Sequence, residues 1–309
     1  MKLETRRGAY VALTVLTLVW GANWIVMKLA LENAHPVPFT AQRVWLAVAI
    51  LFGAMAAMRI PLAPQATWTA IVVTGLCQTT INFGTTTLAL AGGGAGRTSV
   101  LVFTMPFWTL VIARIVLGER VRGAQWIAVA LAFAGLTLVV APWNWQGDLA
   151  PKLWATLSGL GWAAGSVAMK HFQQRRPTDP LNFLAWQMLV GVLPLTLLAL
   201  VLDVPPTRWS ATQVALMLYV GGASTALGFL LWLAILRALP AGNASLNMFA
   251  IPPIALVSSM LVFGERLAAN EWSGIALIGA GLAILAGIAW RQSRKDATVV
   301  TAPAPLDGG

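Results

Sequence analysis

An internal repeat is the feature that most constrains what this sequence can fold into. When the chain is shifted by 146 positions, many residues of 95–136 fall on identical residues of 241–282. The tripeptide Gly-Glu-Arg, for example, occurs at 118–120 and again at 264–266. Polar and aromatic positions agree as well as aliphatic ones, so duplication explains the match better than coincidence. We therefore predict a protein built from two similar halves.

The composition indicates a membrane protein. Hydrophobic residues make up 58% of the chain and charged residues 10%, and the mean hydropathy is +0.77. A soluble domain needs a mostly polar surface, which such a composition cannot supply. The apolar runs are about 20 residues long, as membrane-spanning helices require, whereas the strands of a membrane β-barrel alternate over about 10 residues. The predicted fold class is all-α integral membrane.

Proline, glycine and charged residues divide the apolar sequence into ten predicted transmembrane helices. In chain order these spans cover residues 9–31, 38–58, 67–91, 95–117, 123–141, 151–172, 181–202, 211–236, 241–263 and 271–290. Five spans fall in each half, which gives a first five-helix repeat at 9–141 and a second at 151–290. The other predicted segments are a cytoplasmic N-terminus at 1–8, an external linker at 142–150 and a cytoplasmic tail at 291–309.

The distribution of basic residues predicts how the chain is oriented. Lys and Arg accumulate in loops that stay in the cytoplasm. With both termini in the cytoplasm, fourteen basic residues fall on the cytoplasmic side and four on the other. Because each half has an odd number of spans, the second half enters the membrane from the opposite side. The two repeats are therefore predicted to be inverted, an arrangement typical of transporters that work by alternating access.

Four groups of residues carry a resemblance to a known family. In chain order they are Trp20-Gly21-Ala22-Asn23-Trp24 ahead of Lys28, then Gln42-Arg43, then the turn before Pro106, and last the second Gly-Glu-Arg break with Trp272, Gly274, Ile278 and Gly281. Over about residues 9–290 the chain resembles the drug/metabolite transporter superfamily, in its ten-span EamA-type branch. Ala128 departs from the pattern, because the second repeat has Gly274 there, which predicts looser helix packing.

Within that branch the sequence is most similar to YddG-type amino-acid exporters. The resemblance implies a multi-pass protein in the lipid bilayer of the bacterial inner membrane. It also implies small-molecule substrates, amino acids above all. The repeat sets no oligomeric state, and a monomer is compatible with it.

Helical spacing places several candidate substrate contacts on shared faces. Asn23 and Trp24 share a face of span 1 with Trp20 and Met27, and such a stripe suits a pocket wall. Ordinary helix packing is the alternative, which we favour for Met27. Span 3 is rich in threonine and amide residues, so it is predicted to be central and to line water. Its threonines are expected to bond their own backbone, which leaves Asn82 as the better candidate.

The predicted site combines residues from both halves. The substrate-binding residues are predicted to be Asn23, Trp24, Lys28, Asn82, Phe83, Phe103, Trp162, Phe229 and Phe249. Pro106 and Pro252, each read as an internal proline of a long helix, are predicted to act in gating, because such a proline frees a carbonyl and permits bending. A static packing kink is the alternative reading.

Charges inside the membrane separate the transport hypotheses. All ten acidic residues lie at span ends, in loops or in tails. A proton-coupled exporter of organic cations normally needs a buried carboxylate, so that function is disfavoured. Lys28 and Arg43 are the basic residues within or near the membrane. Either could neutralise a substrate carboxylate or serve the structure, and we favour the structural role for Arg43.

Other function classes lack support in the sequence. The chain has two distant histidines, one cysteine, no phosphate-binding loop and no catalytic triad, so we predict no enzyme activity, catalytic residue, metal, cofactor or nucleic-acid partner. The leading hypothesis is a secondary transporter that exports small zwitterionic metabolites, above all amino acids including aromatic and apolar ones. A sugar-phosphate or nucleotide-sugar exchanger would need more basic residues in mid-span. A non-transporting membrane scaffold would have a filled, dry centre.

Overall fold

The computed structural model describes residues 6–121, 123–141, 149–238 and 248–300. All regular elements in these ranges are helical. We number the helices α1 (Arg6–Ala30), α2 (Pro36–Ala57), α3 (68–92), α4 (Ala95–Val116), α5 (Ala124–Val140), α6 (Leu149–Arg175), α7 (Pro180–Val201), α8 (Ala211–Ala238), α9 (Ile251–Phe263) and α10 (Ala269–Val300).

Within these ranges, six helices are long and apolar enough to cross a membrane: α1, α2, α4, α7, α8 and α10. Helices α5 and α9 are shorter and apolar. The prediction of an all-helical membrane protein is therefore confirmed for the described residues, and the protein crosses the membrane several times. Ten crossings stay a prediction. Most of the predicted linker, the start of predicted span 9 and the ends of the chain lie outside the described residues.

Several helices begin where the sequence supplies a cap. Asp179 precedes α7, and its Oδ1 accepts hydrogen bonds from the backbone N–H groups of Leu181 (2.9 Å) and Asn182 (3.1 Å). Ser210 does the same for α8 by accepting from the N–H of Gln213 at 3.1 Å. These side chains satisfy N–H groups that have no partner in the first turn of a helix.

The helices of the two halves pack reciprocally. Helix α1 of the first half packs against α9 of the second, and the equivalent helices α6 and α4 pack in the same way. Helix α2 packs against α8, as their equivalents α7 and α3 do. Helix α5 packs against its own equivalent, α10. Exchanging the halves converts each contact into its counterpart. A wide π-helical stretch also recurs, at Gly75–Ile81 in α3 and at Leu218–Leu227 in α8. The duplication in the sequence thus corresponds to a pseudo-two-fold relation between the halves.

Glycines allow α5 and α10 to cross in close contact. A Cβ placed on Gly135 would lie 2.4 Å from the carbonyl oxygen of Gly274, and one on Gly274 would lie 2.5 Å from that of Gly135. The looser packing predicted at Ala128 is wrong. Ala128 is fully buried, and its carbonyl oxygen would lie 2.8 Å from a Cβ on Gly281. The opposing helix supplies the glycine at this contact.

The two predicted gating prolines each lie in the first turn of a helical segment that follows a turn, so their reading as internal prolines is wrong. Helix α4 consists of Ala95–Val102 and Met105–Val116, separated by a turn at Phe103 and Thr104. Pro106 lies in the first turn of the second segment, and Pro252 lies in the first turn of α9. A proline there removes an N–H that has no helical partner anyway. The interruption in α4 therefore precedes its proline.

Ion pairs place the two Gly-Glu-Arg breaks at opposite ends of α6. Lys152, near the start of α6, pairs at 3.2 Å with Glu271, which follows the second break. Lys170, near the end of α6, pairs at 2.5 Å with Glu119 of the first break. These lysines are 18 positions apart in one helix, which corresponds to a distance of about 27 Å. The breaks therefore lie on opposite ends of the helical bundle.

Candidate functional site

An aromatic cluster lies between the halves. Phe229 of α8 stacks on Trp162 of α6, with ring centroids 6.2 Å apart. The ring of Phe229 also lies 5.7 Å from that of Trp20 on α1, and Trp20 lies 6.1 Å from Trp232. The structure therefore brings the predicted residues Trp162 and Phe229 together. It adds Trp20, which shares the predicted face of span 1.

The position of Trp20 depends on the wide π-helical stretch of α8. Its indole N–H donates to the carbonyl oxygen of Ser224 at 2.9 Å, and Ser224 lies within that stretch. A Cβ on Gly228 would lie 2.7 Å from the same indole nitrogen. A larger residue at 228 would displace the ring. Local backbone geometry in the second half thus holds an aromatic side chain of the first half.

Arg43 is the charged group beside this cluster. Only 4% of Arg43 is exposed, and its guanidinium carbon lies 4.5 Å from the ring centre of Phe83. Nη1 donates to the sulfur of Met27 at 2.8 Å, and Nη2 donates to the hydroxyl of Thr225 at 3.2 Å. The Nε–H group has no hydrogen-bond partner. From the sequence, a structural role was favoured for Arg43 over a contact with a substrate carboxylate.

Phe83 connects Arg43 to the aromatic cluster. It belongs to a buried hydrophobic cluster against which Trp162 and Phe229 pack. We use the term central site for Trp20, Arg43, Phe83, Trp162 and Phe229. Helices α1, α2 and α3 of the first half and α6 and α8 of the second half all contribute to it.

Asn23 presents a polar atom near the central site. Its Oδ1 is buried and has no hydrogen-bond partner. Asn23 precedes Met27 by four residues on α1, so it lies about 6 Å from Met27 along the helix axis, toward the N-terminus. Buried polar atoms are normally hydrogen-bonded, and an exception calls for an explanation such as a ligand or a water molecule.

Lys28, one of the predicted substrate contacts, forms its hydrogen bonds within the protein. The ammonium of Lys28 donates to the carbonyl oxygens of Leu90 (2.6 Å), Gly93 (2.8 Å) and Ala91 (3.4 Å) at the end of α3. Leu90 and Ala91 belong to the last helical turn and Gly93 follows it, so their carbonyls need donors from elsewhere. All three N–H groups of the ammonium are thereby occupied.

The amide of Asn82 links α3 to α6. Its Nδ2 donates to the hydroxyl of Ser158 at 2.8 Å and to the Ser158 carbonyl at 3.1 Å. The Ser158 hydroxyl in turn donates to the Asn82 carbonyl at 3.1 Å, and it lies 2.6 Å from the hydroxyl of Thr86. Since α3 and α6 belong to different halves, these bonds connect the repeats.

The other predicted aromatic residues form a second group. The ring of Trp24 lies 6.4 Å from that of Phe103, and both residues are buried. Phe249 is partly buried and packs against the same hydrophobic cluster. The structure therefore divides the aromatic residues among the predicted substrate contacts between this group and the central site.

A buried ionic cluster closes one end of the bundle. The carboxylate of Glu265 accepts from the backbone N–H groups of Gly96 (2.9 Å) and Arg97 (3.1 Å) at the start of α4, and from the hydroxyl of Ser259. Glu271 pairs with Arg97 at 3.1 Å and with Lys152 at 3.2 Å.

The carboxylate of the second break caps α4 of the other half, although the next helix of its own repeat, α10, begins four positions later. The signal was present in the small residues before α4. Gly94 supplies no side-chain cap, and any side chain there would collide with Glu265.

A sequence profile of the EamA-like transporter family matches residues 7–141 and again residues 150–287. The chain belongs to this family. The predicted resemblance is confirmed, and the protein is a membrane transporter. Each half of this EamA-like transporter is matched by the same profile, as a duplication requires.

Relatives of this EamA-like transporter are similar over almost their full length. A probable amino-acid metabolite efflux pump of Escherichia coli (strain K12) is 27% identical over 305 residues, which cover 94% of this chain and 99% of that protein. The uncharacterized transporter YoaV of Bacillus subtilis (strain 168) is 26% identical over 272 residues, with coverages of 86% and 92%. One solved crystal structure shares the fold, with a TM-score of 0.63 and 19% identity over 93% of this chain and 99% of the other.

Proposed function

We propose that this protein is a secondary transporter that exports small zwitterionic metabolites from the bacterial cytoplasm. The substrates are above all amino acids with aromatic or apolar side chains. The observation that carries the proposal is the central site, where helices of both halves bring aromatic rings and one guanidinium together. Aromatic and aliphatic walls with a few placed polar groups are typical of small-molecule sites. The relatives named as amino-acid metabolite efflux pumps support the same substrate class.

The proposed mechanism is alternating access between two inverted repeats of five membrane-spanning helices. The opposite positions along α6 of Glu119, in the first break, and Glu271, just after the second, support this arrangement. Both termini lie in the cytoplasm, so the Glu265 cluster closes the external end. Opening that end requires α4 to part from the loop that carries Glu265. Pro106 and Pro252, at starts of helical segments, are the proposed points of bending.

The central site provides the substrate contacts in this proposal. Trp162 and Phe229 receive the side chain, while Asn23 faces the polar end of the substrate. Trp24, Phe103 and Phe249 line the path between α1, the turn within α4 and the start of α9. Lys28 and Asn82 hold the walls in place through the hydrogen bonds described above.

The proposed transport is downhill, without a coupled proton. All ten acidic residues of the sequence lie near helix ends, in loops or in tails. No carboxylate is therefore placed to alternate between a proton and a substrate in mid-membrane. Export then follows the substrate concentration gradient alone.

Purified protein in liposomes tests this function. Liposomes loaded with one labelled amino acid at a time are diluted, and efflux is followed with and without a pH gradient. We expect phenylalanine, tryptophan and leucine to leave faster than aspartate or lysine, with little effect of the gradient. Efflux no faster than from protein-free liposomes for every amino acid would contradict the proposal.

A matched pair of tryptophan variants tests the site within the same assay. Trp162→Ala removes a ring of the central site, and Trp126→Ala removes one that is 46% exposed on α5. Stacking and burial of an aromatic side chain are worth about 1–3 kcal/mol, so we expect Trp162→Ala to reduce phenylalanine efflux about tenfold at low substrate. Trp126→Ala should retain the wild-type rate. Equal rates for the two variants would remove Trp162 from the site.

A further inference from the structure

Arg43 is a buried cation deep within a membrane-spanning helix. It is the eighth residue of α2, about 10 Å from the start of that helix. Ion pairing or a functional role normally accounts for a charged side chain at such a depth, because burial of an unpaired charge is costly. The surroundings of Arg43 decide between these explanations.

The contacts of Arg43 leave its charge without a counter-ion, although the ring of Phe83 lies against the guanidinium. Its guanidinium has five N–H donors. The acceptors it reaches are a thioether, at Met27, and a hydroxyl, at Thr225; both are neutral, and a thioether is a weak acceptor. None of the ion pairs found among the described residues involves Arg43. A cation in this state is prepared for an anion that arrives from outside the protein.

The second repeat shows that the fold does not require a cation at this position. A Cβ on Gly221 of α8 would lie 2.9 Å from the carbonyl oxygen of Arg43. In the counterpart contact, a Cβ on Gly75 of α3 would lie 2.6 Å from the carbonyl oxygen of Gln187. Gln187 is 2% exposed and is neutral. The equivalent contact between helices therefore contains arginine in one repeat and glutamine in the other.

From these observations we propose that Arg43 is the anchor for a substrate carboxylate. The planar fork of a guanidinium matches the two oxygens of a carboxylate, and such charge-assisted pairs are the strong ones. The carboxylate would replace the weak contact with Met27 and engage the Nε–H that has no partner. Transport of the bound carboxylate rests on the proposed function. Binding of a carboxylate at Arg43 does not depend on it.

The neighbouring groups define the rest of the ligand. Phe83, Trp162 and Phe229 form one apolar region beside the guanidinium, which suits an aromatic or apolar side chain. The unpartnered Oδ1 of Asn23 can accept a hydrogen bond from an ammonium group. A phosphate dianion would need a second cation, and the ammonium of Lys28 is already bound to three carbonyls. The ligand class is thus a monocarboxylate with an apolar body, such as a zwitterionic amino acid.

A binding experiment on purified protein tests the anchor without relying on transport. Thermal unfolding in detergent is measured with phenylalanine, with phenylacetate, which keeps only the carboxylate, and with phenylalaninamide, which keeps only the ammonium. We expect phenylalanine and phenylacetate to raise the unfolding temperature, and phenylalaninamide to bind at least tenfold more weakly than phenylalanine, as loss of a charge-assisted bond predicts. Equal binding of all three probes, or none of phenylalanine and phenylacetate, would overturn the proposal.

Three variants assign the effect to Arg43. Arg43→Gln installs the residue that the second repeat carries at the counterpart position, so the fold accommodates it. This variant should lose the preference for carboxylates, with phenylalanine and phenylalaninamide binding within about twofold of each other, while Arg43→Lys restores most of it. Gln187→Met, at the counterpart position, should keep the wild-type preference. A folded Arg43→Gln protein that still prefers carboxylates at the wild-type ratio would rule out the anchor.

The liposome assay separates failure of the anchor from failure of the proposed function. If phenylacetate binds through Arg43 while no amino acid is transported, the anchor stands and amino-acid export is wrong. If amino acids are transported by wild-type and Arg43→Gln proteins with the same selectivity over phenylalaninamide, export stands and the anchor is wrong.

Discussion

Glu119 and Glu265 occupy equivalent positions in the repeats but different surroundings. The side chain of Glu265 is 6% exposed, and it accepts two backbone N–H groups at the start of α4. The side chain of Glu119 is 43% exposed and pairs with the exposed Lys170. Buried hydrogen bonds to a carboxylate contribute far more to stability than an exposed ion pair does.

We predict that Glu265→Gln destabilises the protein by about 1–3 kcal/mol, because it weakens the cap of α4 and leaves Arg97 with less negative charge nearby. Glu119→Gln should cost at most about 1 kcal/mol. Thermal unfolding of both variants in the same detergent measures the difference. If Glu119→Gln is as destabilising as Glu265→Gln, the asymmetry between the two ends of the bundle is not real.

Arg43→Gln should have the opposite effect on the ligand-free protein. Replacing a buried charge that has no counter-ion by a neutral group removes a desolvation cost on the order of several kcal/mol. We expect the unfolding temperature to rise by about 2 °C or more. A clear fall in that temperature would show that Arg43 supports the fold.

Sequence position alone could not separate the tasks of Lys28 and Arg43. Both are basic residues within predicted spans. The carbonyls that bind Lys28 belong to the end of α3, more than 60 positions away. The lack of an acidic partner at Arg43 depends on how α1, α2 and α8 pack. These facts are tertiary, so a pattern along one helix does not contain them.

At the scale of elements, the contact between α5 and α10 depends on glycines at its crossing. We predict that Gly274→Leu disrupts this contact and destabilises the protein by about 3 kcal/mol or more, because the carbonyl of Gly135 occupies the space a side chain would need. Gly279→Leu lies on the same helix, where nothing is within 4 Å of an added Cβ, and serves as the control. Monodispersity and thermal unfolding in detergent compare the two. Because Leu favours a helix more than Gly does, equal loss of both proteins would mean that the added bulk itself, and not the crossing, is responsible.

The pattern of helices was readable in the sequence, but their partners were not. Apolar runs and breaking residues predicted the helices, and the glycines of α10 indicated close packing. The error at Ala128 arose because a helix crossing needs a small residue on either side, and Gly281 on the opposing helix supplies it. The prolines were read as internal because the turn at Phe103 and Thr104 contains no breaking residue.

At the scale of the whole molecule, the duplication and the charge count already predicted two related halves. The reciprocal packing of the helices agrees with the duplication within the described residues. The central site was predictable only in part, since Phe83, Trp162 and Phe229 were named as substrate contacts, whereas a structural role was favoured for Arg43. The position of Arg43 depends on the π-helical stretch of α8, which brings Thr225 and Gly221 against α2. Such a stretch leaves no clear mark in the sequence.

Inverted threading of the two halves is the claim on which alternating access depends, and cysteine labelling tests it most directly. Arg120 and Arg266 are exposed and equivalent in the two repeats. In a Cys77→Ala background, Arg120→Cys and Arg266→Cys are treated in intact cells with a membrane-impermeant maleimide. We expect Arg266→Cys to be labelled from outside and Arg120→Cys to be labelled only after the membrane is permeabilised. Labelling of both cysteines from the same side of the membrane would contradict inverted threading.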